Sequence, residues 1–263
     1  MEEKEGFVKN SKFAIKGMLN GILGASIYEI VVSIFITALI SSLVTSKNPN
    51  ASGAELEILI DNAYNAFPYG LLISCIGSLI VLVVFVVIIK FETFKQLCKK
   101  AINLKTLQYG IIAALCIMGF SIFYNSLATN IFNLDGSGNA NQDAVTELIK
   151  SNVVLGLLSV VILAPITEEL TYRYCMFGEI SKKKKWLGYL ISGVVFMLMH
   201  SIASYSQTGG FNKAFLIESI YLPPYLFSGL ALCYVYDKTN NIGSSVIAHL
   251  LNNLVSFLIV VCL

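Results

Sequence analysis

Seven ionisable side chains lie within hydrophobic stretches of the sequence: Glu29, Glu168, Glu169, Arg173, His200, Glu218 and His249. An ionisable group in a lipid bilayer costs at least about 2.5 kcal/mol on insertion scales, so each needs a partner or a function. Both histidines and the only arginine of the chain belong to this set, and Asn253 follows the second histidine by about one helical turn. Carboxylate, imidazole and amide groups together can activate water and stabilise an oxyanion, which hydrolysis requires.

Spacing assigns the two adjacent carboxylates to different roles. Glu169 and Arg173 are four residues apart, which places them on one helix face in the favourable order for an ion pair. Glu168 is rotated by about 100° from Glu169 around the helix axis, so it need not share that arginine. We therefore predict that Glu169 is structural and that Glu168 faces a cavity. Glu29 and Glu218 are assigned to packing or interfacial roles.

The elements that must carry these residues are membrane helices. The 263 residues are 56% hydrophobic and only 13% charged, whereas soluble domains carry about 25% charged residues. A run of about 20 apolar residues spans a bilayer as a helix, because backbone amides in lipid must be satisfied within the segment. Such runs cover approximately residues 22–45, 69–89, 107–128, 152–179, 186–205, 214–236 and 242–262. The predicted fold is therefore an all-α, polytopic transmembrane bundle.

Two breaks divide this pattern. The pair Pro223–Pro224 interrupts the sixth run, and proline removes a helix hydrogen bond. Residues 212–222 are therefore candidates for a short separate helix or re-entrant piece, which gives seven to eight membrane helices in all. The polar stretch Asn133–Gln142 is predicted to be a loop. It separates peripheral helices in residues 1–130 from a catalytic core in residues 150–263.

The distribution of charge predicts the topology. Lysines crowd the N-terminus, the loop over residues 90–105 and the run Lys182–Lys185, whereas the loops 46–64 and 129–150 are mainly acidic. Positively charged loops stay in the cytoplasm, so the N-terminus should be cytoplasmic and, after seven spans, the C-terminus outside. Between two membrane helices, the lysine run is a topology anchor rather than a nucleic-acid site. No nucleic-acid partner is expected.

Helical rise places the polar residues at one depth. At about 1.5 Å per residue, Glu168, His200 and Asn253 lie roughly 18 to 22 Å from the cytoplasmic ends of their helices. His249 lies one turn lower, at about 12 Å. Four side chains from three helices are thus predicted to form a single buried site.

The same residues form three motifs in order along the chain. They read EELTYR from Glu168 to Arg173, FMLMH from Phe196 to His200 and HLLNN from His249 to Asn253. In type, order and placement on successive helices, they resemble the EExxxR, FxxxH and HxxxN motifs of the CAAX protease and bacteriocin-processing (CPBP, or Abi) family. This family includes the type II CAAX prenyl endopeptidases. The resemblance covers about residues 150–257.

The resemblance implies hydrolysis of a peptide bond inside the membrane. By position, Glu168 would activate the attacking water with His200 as its partner. His249 and Asn253 would donate hydrogen bonds to the oxyanion, and the Glu169–Arg173 pair would support them.

Family members have also been described as metalloproteases. Glu168, His200 and His249 could then supply three zinc ligands with the fourth position open. The sequence contains no HExxH motif, however, and Asn253 would have no clear role at a zinc site. We therefore favour a site without a metal cofactor and keep zinc as the alternative.

The expected partners are membrane lipid and a membrane-associated peptide or protein substrate, such as a CAAX-like sequence or a peptide precursor, in a bacterial plasma membrane. Two other classes of protein stay open. A bacteriocin-immunity or peptide-binding protein could keep the same site with little turnover. A small proton-coupled transporter should show repeat symmetry or a path of acidic residues, and the sequence shows neither.

Overall fold

The computed structural model describes residues 38, 40–65, 69–132 and 140–263, and every regular element within these ranges is a helix. Residues 40–47 are helical. The helices that follow are α1 (Gly53–Asn65), α2 (Tyr69–Ile89), α3 (Phe91–Ala101), α4 (Leu104–Phe132), α5 (Ala140–Ser151), α6 (Val153–Ile180), α7 (Lys185–His200), α8 (Ile202–Gln207), α9 (Lys213–Tyr221), α10 (Pro223–Thr239) and α11 (Ile242–Cys262).

Three of the described helices, α4, α6 and α11, are long and apolar enough to cross a membrane. Two bent pairs, α2 with α3 and α9 with α10, also pass if each pair counts as one span, and α7 is a shorter apolar helix. For the part of the chain that the structure describes, these features confirm the predicted all-helical integral membrane protein. The number of seven to eight spans stays a prediction, because most of the first hydrophobic run lies outside the described residues. Glu29 lies in this run, so its predicted role is not tested either.

Three segments that we predicted as loops are largely helical. The acidic segment over residues 46–64 contains most of α1, the basic segment over residues 90–105 contains α3, and the segment over residues 129–150 contains most of α5. The last three residues of the stretch Asn133–Gln142 begin α5, and the residues before them lie outside the described ranges. Long hydrophobic runs indicate membrane spans, whereas short polar helices such as these contain no such run and give no comparable signal.

The two breaks around the site-bearing helices have local causes. The run predicted over residues 186–205 ends as a helix at His200, where Ser201 Oγ donates a hydrogen bond to the carbonyl of Leu198 at 2.7 Å. That bond satisfies one of the free carbonyls at a helix end. The helices α9 and α10 meet at 41° just before Pro223. The separate helix expected before the proline pair is therefore present.

Asparagines set the starts and ends of the helices that carry the site. Asn152, Asn212 and Asn241 each precede a helix and accept a hydrogen bond from a backbone N–H two or three residues later, at 2.9 to 3.0 Å. Asn240 ends α10 with a left-handed backbone, φ 49°. Both placements are the preferred ones for asparagine, as an N-cap and as a left-handed C-cap.

Close helix approaches bring α6, α7 and α11 together around α10. The helix α11 packs against α4, α6 and α10, and α7 packs against α6 and α10. A Cβ atom on Gly229 would lie 3.0 Å from Gly193 Cα, which shows how closely α7 and α10 approach. A Cβ atom on Gly243 would lie 1.8 Å from the carbonyl oxygen of Ala101, so α11 begins in backbone contact with the end of α3.

Candidate active site

Glu168 and Glu169 lie in a short α-helical stretch of α6 that has a π-helical segment on each side. Ala164–Glu169 has ordinary α-helical hydrogen bonding, whereas Leu157–Leu163 and Leu170–Phe177 on either side are π-helical. Pro165 stands at the start of the α-helical stretch, where its missing N–H is tolerated. π-helical turns are frequent at functional sites because they redirect side chains and leave carbonyls free for other partners.

Glu169 is the centre of a buried charge network. Its Oε1 accepts a hydrogen bond from Arg173 Nη1 at 2.8 Å and another from His249 Nδ1 at 2.8 Å. The side chains of Glu169 and Arg173 are both 0% exposed, so the ion pair has no contact with solvent. The ion pair predicted from the four-residue spacing is present. The bond to His249 was not predicted, and it links α6 directly to α11.

Arg173 has aromatic and backbone partners besides Glu169. Its guanidinium lies 4.4 Å from the ring centroid of Phe196, which is a cation–π distance, and Nη2 donates to the carbonyl of Gly229 at 3.4 Å. The small residues at the contact of α7 with α10 allow that carbonyl to approach. A buried arginine needs such additional contacts, since a single ion pair rarely repays its desolvation.

The tautomer of His249 follows from its bond to Glu169. A carboxylate can only accept, so the proton of this bond resides on Nδ1. The other ring nitrogen, Nε2, lies 4.0 Å from Glu168 Oε2. This separation is longer than a hydrogen bond, so the two side chains are neighbours without a direct bond.

Glu168 differs from its neighbour in both exposure and hydrogen bonding. Its side chain is 30% exposed, whereas that of Glu169 is fully buried. Its Oε2 atom is buried and has no hydrogen-bond partner among the described residues. One oxygen of Glu169 is also without a partner, but only Glu168 has a partly exposed side chain and no ion pair at hydrogen-bond distance among the described residues.

His200 is fixed by a backbone bond and by two aromatic rings. Its Nδ1 donates to the carbonyl of Phe196 at 2.8 Å, which leaves Nε2 of the neutral ring as an acceptor. The ring stacks on Tyr225 with 4.5 Å between centroids and an angle of 24° between planes. Phe196 lies between the two histidines, 4.5 Å from the His200 ring and 5.7 Å from the His249 ring.

Asn253 contacts the backbone of α6. Its Nδ2 donates to the carbonyl of Val160 at 3.0 Å, and its Oδ1 accepts from Asn252 Nδ2 at 3.3 Å. Val160 belongs to the first π-helical stretch. An amide NH₂ group has two hydrogens, so one remains for another acceptor.

The residues do not form a zinc site in this arrangement. Among the described residues, no three His, Cys, Asp or Glu side chains are placed so that they could hold one metal ion. The alternative ligand set of Glu168, His200 and His249 therefore does not fit zinc here.

Three contacts at the site were missed from sequence. Phe196 belongs to the second motif but had no assigned role, and Gly229 carries no motif. Tyr225 stacks on His200, and its hydroxyl accepts a hydrogen bond from Asn141 Nδ2 at 3.1 Å. Its position directly after the proline pair was the available signal, because the bend at the start of α10 turns this residue toward α7.

Comparison with known proteins identifies relatives of the segment that carries the site. Residues 150–255 match the family model described as type II CAAX prenyl endopeptidase Rce1-like. The chain is 29% identical over 176 residues to UPF0177 protein YxdF of Lactococcus lactis, which covers 65% of this chain and 86% of that protein. It is 25% identical over 184 residues to the Bacillus subtilis protein named "Putative membrane peptidase YdiL", which covers 69% of this chain and 67% of that protein. No solved structure is significantly similar to the chain.

The matched segment begins before Glu168 and ends after Asn253, so it contains all three motifs and the helices that carry them. The family match and the second relative support a CAAX-type protease embedded in the membrane. The resemblance predicted from the three motifs is thereby confirmed: the segment that carries them matches the Rce1-like family model, which is consistent with the CAAX protease and bacteriocin-processing family.

Proposed function

We propose that the chain is an intramembrane endopeptidase that hydrolyses a peptide bond of a membrane-associated peptide or protein. The proposal rests on the environment of the Glu168 carboxylate. This carboxylate is partly exposed, Oε2 has no hydrogen-bond partner among the described residues, and the same atom lies 4.0 Å from His249 Nε2. A carboxylate at membrane depth without a partner is costly, and such groups are usually retained for chemistry.

Water activation is assigned to Glu168 and His200. A water molecule held between them would give its proton to the Glu168 carboxylate as its oxygen attacks the carbonyl carbon of the substrate. Glu168 would then return this proton to the nitrogen of the leaving amine. His200 would accept a hydrogen bond from the water through Nε2, because its Nδ1 is committed to the Phe196 carbonyl.

Stabilisation of the oxyanion is assigned to His249 and Asn253. His249 can donate from Nε2 only when both ring nitrogens carry protons, and Glu169 fixes the Nδ1 proton and the ring orientation. Asn253 has one N–H left after its bond to Val160. Donors fixed in advance are the effective kind, because they need no reorganisation when the negative charge develops.

The proposed substrates are CAAX-like sequences or peptide precursors, and the proposed location is a bacterial plasma membrane with a cytoplasmic N-terminus. Support comes from the bacterial sources of both relatives and from the alternation of lysine-rich and acidic segments.

The test is cleavage of quenched fluorescent peptides by the purified chain in detergent. Glu168→Gln keeps the shape of the side chain and removes the base, so we expect kcat to fall by about 10² to 10⁴. Glu179→Gln is the matched control, because it makes the same change on the same helix, in an ion pair with Lys182 away from the site.

Three results would refute the proposal in different ways. Wild-type turnover by Glu168→Gln would remove Glu168 from the mechanism. An equal loss in Glu179→Gln would show that the effect is not specific to the site. Tight retention of peptides by the wild type without any cleavage would favour the peptide-binding class instead.

A further inference from the structure

A cavity of about 360 Å³ lies at the lysine-rich end of the bundle. Its walls come from the corner between α2 and α3 and from the ends of α6 and α10, and we call it the corner cavity. None of the four candidate catalytic residues lines it. Its volume is within the range of small-molecule sites, which begins at about 300 Å³.

The corner cavity combines an apolar base with free hydrogen-bond donors. Ser181 and Lys182 also line it, but their side chains donate to Gly178 and Glu179. Its other donor side chains are those of Lys90, Thr93, Tyr174, Tyr236 and Asn240. In the described part of the chain, no hydrogen bond joins any of these five side chains to another residue, although both tyrosine rings make aromatic contacts. Five donors of this kind around one space indicate a ligand with several acceptor atoms.

The backbone is unusual at the same place. Only two described residues other than glycine have a positive φ, Lys90 at 70° and Asn240 at 49°, and both line the corner cavity. Asparagine in this conformation is ordinary at a helix end. Lysine is not, and here it occupies the corner where α3 turns by 109° from α2. Unfavourable backbone of this kind is retained most often where a ligand is bound.

The charges around the corner cavity favour an anion. Its two acidic residues are already paired, Glu179 with Lys182 and Asp237 with Lys185. Lys90 forms no ion pair with any described residue and is exposed. The cavity therefore offers one uncompensated cation surrounded by neutral donors, which suits a phosphate group.

We propose that the corner cavity binds the phosphate headgroup of an anionic phospholipid, with Lys90 as its ionic partner. Basic pockets between membrane helices at the cytoplasmic side are suited to such headgroups. The acyl chains would follow α2, on which Val87 and Val83 are exposed about one and two turns before Lys90, respectively. Free phosphate has the same anionic group as the headgroup, but it has no acyl chains that could contact Val83 and Val87.

The test is lipid retention by the purified full chain in detergent, counted by native mass spectrometry. Phosphatidylglycerol and phosphatidylcholine with identical acyl chains are supplied together, and we expect preferential retention of phosphatidylglycerol. Lys90→Gln should weaken that retention about fivefold, the effect of removing one lysine at an anionic surface. Thr93→Val removes one hydroxyl donor with little change in shape, and a loss of about two- to fivefold is expected.

Lys99→Gln is the matched control, because Lys99 is exposed on α3 and does not line the corner cavity. Equal losses in Lys99→Gln and Lys90→Gln would refute the proposal in favour of diffuse surface attraction. Unchanged retention in both Lys90→Gln and Thr93→Val would also refute it. Thermal protection by inorganic phosphate or glycerol phosphate equal to that by the lipid would overturn the lipid assignment. Peptide cleavage plays no part in these measurements, so their outcome is independent of the proposed peptidase activity.

Discussion

Glu169 accepts a hydrogen bond from His249 Nδ1 at 2.8 Å, although the two residues are 80 positions apart in the chain. The same carboxylate oxygen accepts a bond from Arg173 Nη1. One oxygen atom therefore holds α6 and α11 together and also sets the orientation of a histidine that faces Glu168. We therefore expect the second carboxylate of the glutamate pair to have a supporting role that needs no contact with substrate.

Replacing Glu169 should damage stability more than replacing Glu168. Glu169→Gln leaves the Arg173 charge buried without its counter-charge and weakens the bond to His249. Breaking a buried ion pair by removing one partner typically costs about 3–5 kcal/mol, so we expect a clearly lower unfolding temperature in detergent. Glu168→Gln is the matched control, since it makes the same change at the adjacent, partly exposed residue. Equal unfolding temperatures for the two variants would contradict the structural role of Glu169.

Replacing Asn253 should affect turnover more than stability. Loss of one oxyanion donor lowers kcat by about 10² to 10³ in well-studied hydrolases. A side-chain hydrogen bond in a membrane protein contributes only about 0.6 kcal/mol on average, so loss of the bond to Val160 should change unfolding little. Asn252→Ala removes a neighbouring amide that, among the described residues, bonds through its side chain only to Asn253, and we expect a much smaller loss of kcat. A variant Asn253→Ala with wild-type kcat would remove this residue from the oxyanion site.

Tyr225 should act by positioning His200 through its ring rather than through its hydroxyl. Tyr225→Phe keeps the stack on His200 and loses the bond from Asn141, so its kcat should stay near that of the wild type. Tyr225→Leu loses the stack, and since an aromatic pair contributes about 0.5–1.5 kcal/mol, kcat should fall by up to about tenfold. Asn141→Ala should behave like Tyr225→Phe.

Separate measurement of kcat and KM distinguishes this positioning role from general damage to the fold. A displaced His200 should lower kcat and leave KM unchanged, with rescue by phenylalanine at position 225. If Tyr225→Phe loses as much activity as Tyr225→Leu, the hydroxyl and not the ring is the important part.

Sequence spacing was sufficient to predict the contact within one helix, whereas the set of catalytic residues stays a prediction. The ion pair of Glu169 with Arg173 follows from a four-residue offset, and the separate roles of the two glutamates follow from their angular difference. Estimates of depth also placed residues of α6, α7 and α11 at one level. These predictions need only the geometry of a single helix and a bilayer of known thickness.

Contacts between helices could not be predicted in the same way. The bond from His249 to Glu169 depends on the rotation of α11 about its own axis, which is set by packing at Gly243 and Gly110. The π-helical turns of α6 change the direction of side chains without a clear sequence signal. Polar helices such as α3 and α5 were also missed, since a short helix with charged residues contains no long apolar run.

Peptide cleavage should not depend on a bound metal ion. Because the described residues do not form a set of three metal-binding side chains, we expect peptide cleavage to survive treatment with a zinc chelator. Metal analysis of the active protein should then find zinc well below one atom per chain. His200→Ala and His249→Ala should lose turnover through loss of water positioning and of the oxyanion donor, without any change in bound metal.

Stoichiometric zinc in the active wild type, with cleavage abolished by chelation and restored by added zinc, would contradict this assignment. Such a result would require Glu168, His200 and His249 to come closer together in the active protein than in this structure, because zinc–ligand distances are only about 2.0–2.2 Å. The membrane protease itself would still stand in that case, and the role of Asn253 would then need a new explanation.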